Sequence, residues 1–194
     1  MTLVQPRARE ELTELEPVLQ MVESTMGFVP ESMLTMAHWP ELLQAVSNVG
    51  AVIRSGELPA GLKQLIAFVV SNAASCSYCQ AHTSHGARVM GVSLEKIQAA
   101  FEFESSPIFS ESERSALRVA LHAGMVPNAV EPAHIQALKQ HYSDRQCVEI
   151  VAVISFFGFL NRWNDTLATT LEDKPREFAS SNLTAGGWNA GKHA

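Results

Sequence analysis

The chain has 194 residues, 46% hydrophobic and 18% charged, with a formal net charge of −6. That length and apolar share suit one folded domain with a real core and exclude a disordered segment. The acidic balance, without any Lys/Arg cluster, gives no support to nucleic-acid binding, so no nucleic-acid partner is expected.

The first residues, "MTLVQPRAREELTELE", lack the apolar core of a signal peptide. With three cysteines, this predicts a cytoplasmic, reducing location. Helix punctuation then recurs along the chain. Gly27 closes "EPVLQMVESTM" as a C′ residue. Pro40 sits in the first turn of "PELLQAVSNVGAVIRS", which Gly56 ends. Pro59 opens "PAGLKQLIAFVVSNAAS". A helix starting near Ser75 runs to Gly91, and Ser93 caps "LEKIQAAFE". Ser110 with Glu113, and Ser143 with Gln146, have capping-box spacing ahead of apolar helical patterns. The run "IVAVISFFGFL", residues 150–160, is too short to span a bilayer and is flanked by Glu149 and Arg162. It is expected as a buried helix, and no membrane partner is expected. The tail "ASSNLTAGGWNAGKHA" is expected to be irregular and packed through Trp188. Strand-like alternation is scarce, so the fold class is all-α.

Residues 63–83 align with 148–168 at an offset of 85. Gln64 then meets Glu149, Leu62 meets Cys147, and Cys76 and Cys79 meet Asn161 and Asn164. This predicts one domain over 1–194 with two pseudo-repeated helical halves. A cysteine-bearing half covers about 40–100, a companion half about 110–172, and the tail 173–194. Two unrelated buried helices are the alternative. Cys147 is expected to act as a small buried hydrophobe.

The stretch "SCSYCQAHTSHGA" places Cys76, Cys79, His82 and His85 at intervals of three. On a helix, Cys79 lies about 60° around from Cys76, one turn on. Such thiols can form a C-x-x-C disulfide. Orphan N–H groups and the macrodipole at the helix start favour a thiolate. His82 shares the face of Cys79 and can move a proton. His85 lies about 180° from Cys76 and is the weaker candidate. Four ligands spread over half a helix cannot close a tetrahedron, so no metal is expected. A thioredoxin motif needs a preceding strand, which is missing here. A purely structural thiol pair stays open.

An apolar helix followed by "ASCSYCQAHTSHGARVMGVSLEKI" resembles the AhpD-like alkylhydroperoxidases of the carboxymuconolactone decarboxylase superfamily. The resemblance is strongest over about residues 58–100, and "FGFLNRWNDTLAT" is similar to the companion half of peroxidase-related members. It implies an all-helical AhpD-like fold and hydroperoxide reduction by a dithiol–disulfide cycle. It also implies an external thiol or dithiol reductant and no cofactor. A homo-oligomer, a dimer, trimer or hexamer, is implied as well. In the redox-active members Cys79 would attack and Cys76 would resolve. The family relay has a glutamate where this chain has Gln64, and a histidine where it has Thr83. His82 is the expected substitute for the histidine, and Glu149 for the carboxylate. Tyr78 and Asn161, with Gln64 and His85, are possible supporting residues, and Asn164 is a weaker one. A decarboxylase- or lactone-type enzyme on the same scaffold, and a non-enzymatic redox sensor, are the alternatives.

Overall fold

The computed structural model describes residues 2–194, and these contain ten α-helices and no strand. The first three helices are α1 (Glu16–Met26), α2 (Glu31–Met36) and α3 (Pro40–Arg54). The central ones are α4 (Ala60–Ala73), α5 (Ser77–Val89), α6 (Leu94–Gln98) and α7 (Glu111–Gly124). The last are α8 (Pro132–Lys139), α9 (Asp144–Leu167) and α10 (Asp173–Asn182). Short 3-10 turns cover Arg9–Glu11, Thr184–Gly186 and Gly191–His193.

Local chemistry sets most boundaries. Gly27 takes a left-handed conformation, φ 79°, to end α1. Pro40 occupies the first position of α3, and Ser93 caps α6. Both predicted capping boxes form, Ser110 with Glu113 on α7 and Ser143 with Gln146 on α9.

The core is built around α4, which is buried from Leu65 through Ser71 and packs against α5, α7 and α9. A helix that is apolar on most sides needs neighbours on most sides. A smaller cluster of Leu12, Leu15, Leu19, Met36 and Leu43 joins the N-terminal helices.

The two aligned segments fold differently. Residues 148–168 lie almost wholly in α9, one continuous helix of 24 residues. Residues 63–83 break into α4 and α5 at Ser75, whose φ is 56°. Ser75 N–H donates to the Asn72 carbonyl at 2.9 Å, and Cys76 N–H to that of Ser71 at 3.0 Å. This Schellman arrangement uses serine where glycine is usual. The reversal makes Cys76 the N-cap of α5 and Ser77 its first helical residue.

Two expectations change. The run 150–160 is only partly buried: Ile150, Val153 and Ile154 face the core, but Val151 and Phe159 are 47% and 38% exposed. An apolar run wraps all faces of a helix, and α9 meets neighbours only on some of them. The tail is helical as far as Asn182, the end of α10, and irregular beyond it apart from two 3-10 turns. Trp188 is buried, and its indole N–H donates to the Ser77 carbonyl at 3.1 Å, so the tail is anchored on the first residue of α5. No helix among the described residues is long and apolar enough to cross a membrane.

Candidate active site

Cys76 and Cys79 are both buried and unbridged. As N-cap, Cys76 has extended backbone angles, φ −91° and ψ 98°. Its sulfur accepts the otherwise orphaned N–H of Cys79 at 3.5 Å. The Cys79 thiol also donates to it. That bond pulls the Cys76 thiol down to about 6 against the opposing effect of burial, and the imidazole of His193 adds to the shift. Burial pushes the Cys79 thiol well up, and the neighbouring Cys76 sulfur pushes it further. The amide of Asn164, the repeat position of Cys79, donates to the Cys79 sulfur at 3.5 Å. The negative charge of the pair therefore belongs on Cys76.

His193 comes from the 3-10 turn Gly191–His193. Its Nδ1 lies 2.8 Å from the Thr169 carbonyl, which can only accept, so Nδ1 carries the proton. Its Nε2 is buried, without a hydrogen-bond partner among the described residues, and stands 3.6 Å from Asp165 Oδ1. Burial disfavours the imidazolium, but Cys76 and the Thr169 carbonyl outweigh it and raise the His193 pKa. The Thr169 carbonyl is positioned by Ala168, which takes φ 50° to end α9. Ser75 and Ala168 are the two non-glycine residues with positive φ among the described residues, and both flank the site. Backbone strain of this kind collects at functional sites.

The ordering of causes at Cys76 makes a prediction. Thiolate ultraviolet absorbance should rise as pH passes about 6 in the wild-type protein. The midpoint should move up in His193→Ala and further up in Cys79→Ala, because the Cys79 bond is the larger cause. A larger shift in His193→Ala than in Cys79→Ala would reverse that order.

A second cluster lies on the same helix. Glu172, the N-cap of α10, accepts from Tyr78 Oη at 2.6 Å and from the Glu31 N–H at 2.6 Å. Its other oxygen pairs with His82 Nε2 at 2.5 Å. Tyr78 and His82 are one turn apart on α5 and stack at 4.3 Å. Burial works against the Glu172 carboxylate, but His82, Tyr78 and the Glu31 N–H hold it below the usual range. Burial and the Glu172 charge push the Tyr78 phenol well up. The carboxylate that meets His82 is thus Glu172, not the predicted Glu149.

Glu149 lies elsewhere. It precedes Asn164 by fifteen residues of α9, a rise of about 22 Å. Its carboxylate accepts the N–H groups of Glu57 and Leu58 at 2.8 and 3.1 Å, and pairs with Lys63 at 3.2 Å. Burial raises its pKa, but these donors outweigh it and lower it overall. A buried carboxylate needs such partners, and Glu149 finds them in the turn before α4.

The other predicted residues separate. Gln64 packs on Gly86, where a Cβ would collide with its carboxamide. His85 faces the Phe178 ring at 5.6 Å, and burial lowers its pKa. Thr83 donates to the Cys79 carbonyl at 2.6 Å, a bond within its own helix. Asn161 is buried, and neither end of its amide has a partner among the described residues. It lines an open cavity of about 730 Å³ with Ala73, Ala74, Gly124 and Phe159. Cys147 packs at the core margin, and its thiol contacts the Tyr142 carbonyl at 3.7 Å.

The carboxymuconolactone decarboxylase family model matches residues 40–122, from α3 through most of α7 and including the cysteine pair. The debrominase Bmp8, solved free, is 38% identical with a TM-score of 0.87, covering 93% of this chain and 97% of its own. A cysteine-to-alanine variant of Bmp8 in complex with 2,3,4-tribromopyrrole is 37% identical with a TM-score of 0.88 and the same coverage. An AhpD-core, peroxidase-related protein from Ralstonia eutropha JMP134 shares the fold at 24% identity and a TM-score of 0.79, over 90% of this chain and 94% of its own. The chain belongs to the carboxymuconolactone decarboxylase family. Its fold is the AhpD-like one. Among curated relatives, the uncharacterised YdfG of Bacillus subtilis is 25% identical over 127 residues, 64% of this chain and 84% of its own.

Within the superfamily fold, three residues of this site lie outside the sequence-based selection: Asp165, Glu172 and His193. Asp165 lies within the stretch "FGFLNRWNDTLAT", directly after Asn164, but that stretch assigns it no role. Glu172 and His193 belong to no local motif, and the one signal for His193 was the tail itself, where Trp188 marks a packed segment.

Proposed function

We propose that the protein is a thiol-dependent reductase in which Cys76 and Cys79 cycle between dithiol and disulfide, with a hydroperoxide as substrate. The observation that carries this reading is the Cys76 sulfur at the N-cap of α5, with the Cys79 N–H directed at it. The Cys76 thiolate attacks the terminal peroxide oxygen. The S–O bond forms as the O–O bond breaks, and the alkoxide takes from His193 Nε2 the proton that the Cys76 thiol gave up on becoming a thiolate. The Cys79 thiol then gives up its proton and attacks the Cys76 sulfenic acid, and water leaves. The net change is ROOH plus dithiol to ROH, water and disulfide. An external dithiol restores the pair. This reading reverses the cysteine roles implied by the resemblance, because the charge rests on Cys76. It places proton transfer on His193, while His82 and Glu172 position α5. It requires a reducing compartment. It extends to self-association of copies through the exposed Val148, Val151 and Phe159 of α9.

A second reading, reductive dehalogenation, is favoured by the 37–38% identity to Bmp8 over 93% of the chain and by the brominated pyrrole in the Bmp8 complex. The same dithiol would convert Ar–Br to Ar–H and HBr as Cys76 and Cys79 close to the disulfide, which supplies the two electrons. The test treats reduced protein with one equivalent of cumene hydroperoxide or of a brominated pyrrole, then counts thiols and products. Loss of two thiols per hydroperoxide reduced supports the first reading. Bromide release without hydroperoxide reduction selects the second. Substrate conversion with all thiols intact overturns both.

A further inference from the structure

Cys76, Asp165 and His193 offer a sulfur, an oxygen and a nitrogen that all lie within 4.8 Å of one another. We propose that these three side chains form a binding site for zinc, and that zinc there reversibly blocks the thiol chemistry. These are not the four ligands in series on α5 that helical geometry excludes. They come from three separate segments: the N-cap of α5, the last turn of α9 and the turn Gly191–His193.

The donor set fits the ion. Thiolate and imidazole suit zinc, and carboxylate completes a common ligand mixture. Zinc bonds of about 2.0–2.3 Å place tetrahedral ligands roughly 3.3–3.8 Å apart. His193 Nε2 and Asp165 Oδ1 are 3.6 Å apart, within that range. Small rotations of the side chains bring the third atom in. Three protein ligands leave the fourth position open, as at zinc sites that exchange water or substrate.

The surroundings orient the ligands as metal sites do. A ligating histidine ordinarily donates its other ring N–H to a carbonyl or carboxylate. His193 Nδ1–H donates to the Thr169 carbonyl at 2.8 Å, which leaves the lone pair on Nε2. That nitrogen is buried and has no hydrogen-bond partner among the described residues. Asp165 is held at its other oxygen by Lys192 at 2.8 Å, so Oδ1 faces His193. The Asp165 side chain is 40% exposed and gives the ion an entry path. Glu172 and His82 satisfy each other and are not ligands.

The blocking effect rests on the proposed function, since zinc would occupy the attacking sulfur. The binding itself does not, and the test separates them. Fully reduced, chelator-treated full-length protein is titrated with cobalt(II) as the spectroscopic probe, then with zinc. One equivalent of cobalt should give a sulfur-to-cobalt charge-transfer band, which zinc then bleaches. The band should survive in Cys79→Ser and vanish in Cys76→Ser. His193→Ala and His193→Gln, checked for wild-type helicity by circular dichroism, should bind at least 10-fold more weakly. No band in wild-type protein, an undiminished band in both His193 variants, or loss of the band in Cys79→Ser overturns the site. Each of these outcomes is independent of whether hydroperoxide is reduced. Zinc bound at this site with undiminished turnover overturns the blocking effect alone.

Discussion

Cys76→Ser is expected to abolish the first oxidation by hydroperoxide, with a loss of roughly 10³-fold or more, because the attacking atom is gone. Cys79→Ser is expected to behave differently. It keeps the nucleophile and should consume one equivalent of hydroperoxide per chain. It then stops at a Cys76 sulfenic acid that dimedone traps. The first oxidation should be slower at neutral pH in Cys79→Ala, where the side-chain donor that contributes most to the depressed Cys76 pKa is lost. Mass spectrometry of the dimedone adduct locates the sulfur. An adduct on Cys79 in Cys76→Ser protein, with none on Cys76 in Cys79→Ser protein, would reverse the two roles. The physical basis for the expected order is plain. Burial of Cys79 disfavours a charge there, and the helix start, the Cys79 N–H and His193 all favour one on Cys76.

Much of the fold was legible because its signals are local. Capping boxes at Ser110 and Ser143 and a left-handed Gly27 act within a few residues of themselves. The cysteine pair was legible for the same reason. C-x-x-C spacing at a helix start carries its own geometry, and the structure differs only in making Cys76 the cap instead of an interior residue. The rest of the site depends on contacts of long range. Glu172 reaches His82 across 90 residues, and His193 stands beside Cys76 only because the tail folds back through Trp188. No periodicity marks either residue.

Glu149 shows how the repeat misleads. The alignment sets a carboxylate against Gln64. It cannot tell that α9 runs straight where α4 and α5 turn at Ser75. Aligned positions near the break meet, as Cys79 and Asn164 do. Positions at the far end are left about 22 Å along the helix. There Glu149 braces the turn before α4 through Glu57, Leu58 and Lys63.

Glu172→Gln tests the second cluster through stability. The carboxylate joins α5, α2 and the start of α10 through Tyr78, His82 and the Glu31 N–H. Its side chain is 13% exposed, so solvent screens these bonds little. Glutamine keeps the shape but accepts through one oxygen only and carries no charge, so one acceptor role and the charge at His82 are lost. Charge-assisted hydrogen bonds contribute about 1.5–3 kcal/mol each, so the variant should lose about 2 kcal/mol at neutral pH. For a chain of this size that lowers Tm by about 4–8 °C. The pH dependence gives the sign. The folded pKa of Glu172 lies below the ordinary carboxylate value. Its contribution is therefore complete above an unfolded pKa of about 4.3 and disappears as pH falls through the lower folded value. Urea unfolding should show the gap between wild type and Glu172→Gln narrowing on acidification through that window. A gap that stays constant or widens would mean the Glu172 charge does not stabilise the fold. If the cluster also positions α5, the variant should keep Cys76 oxidation but slow disulfide closure, because Tyr78 adjoins Cys79 on the helix that carries it.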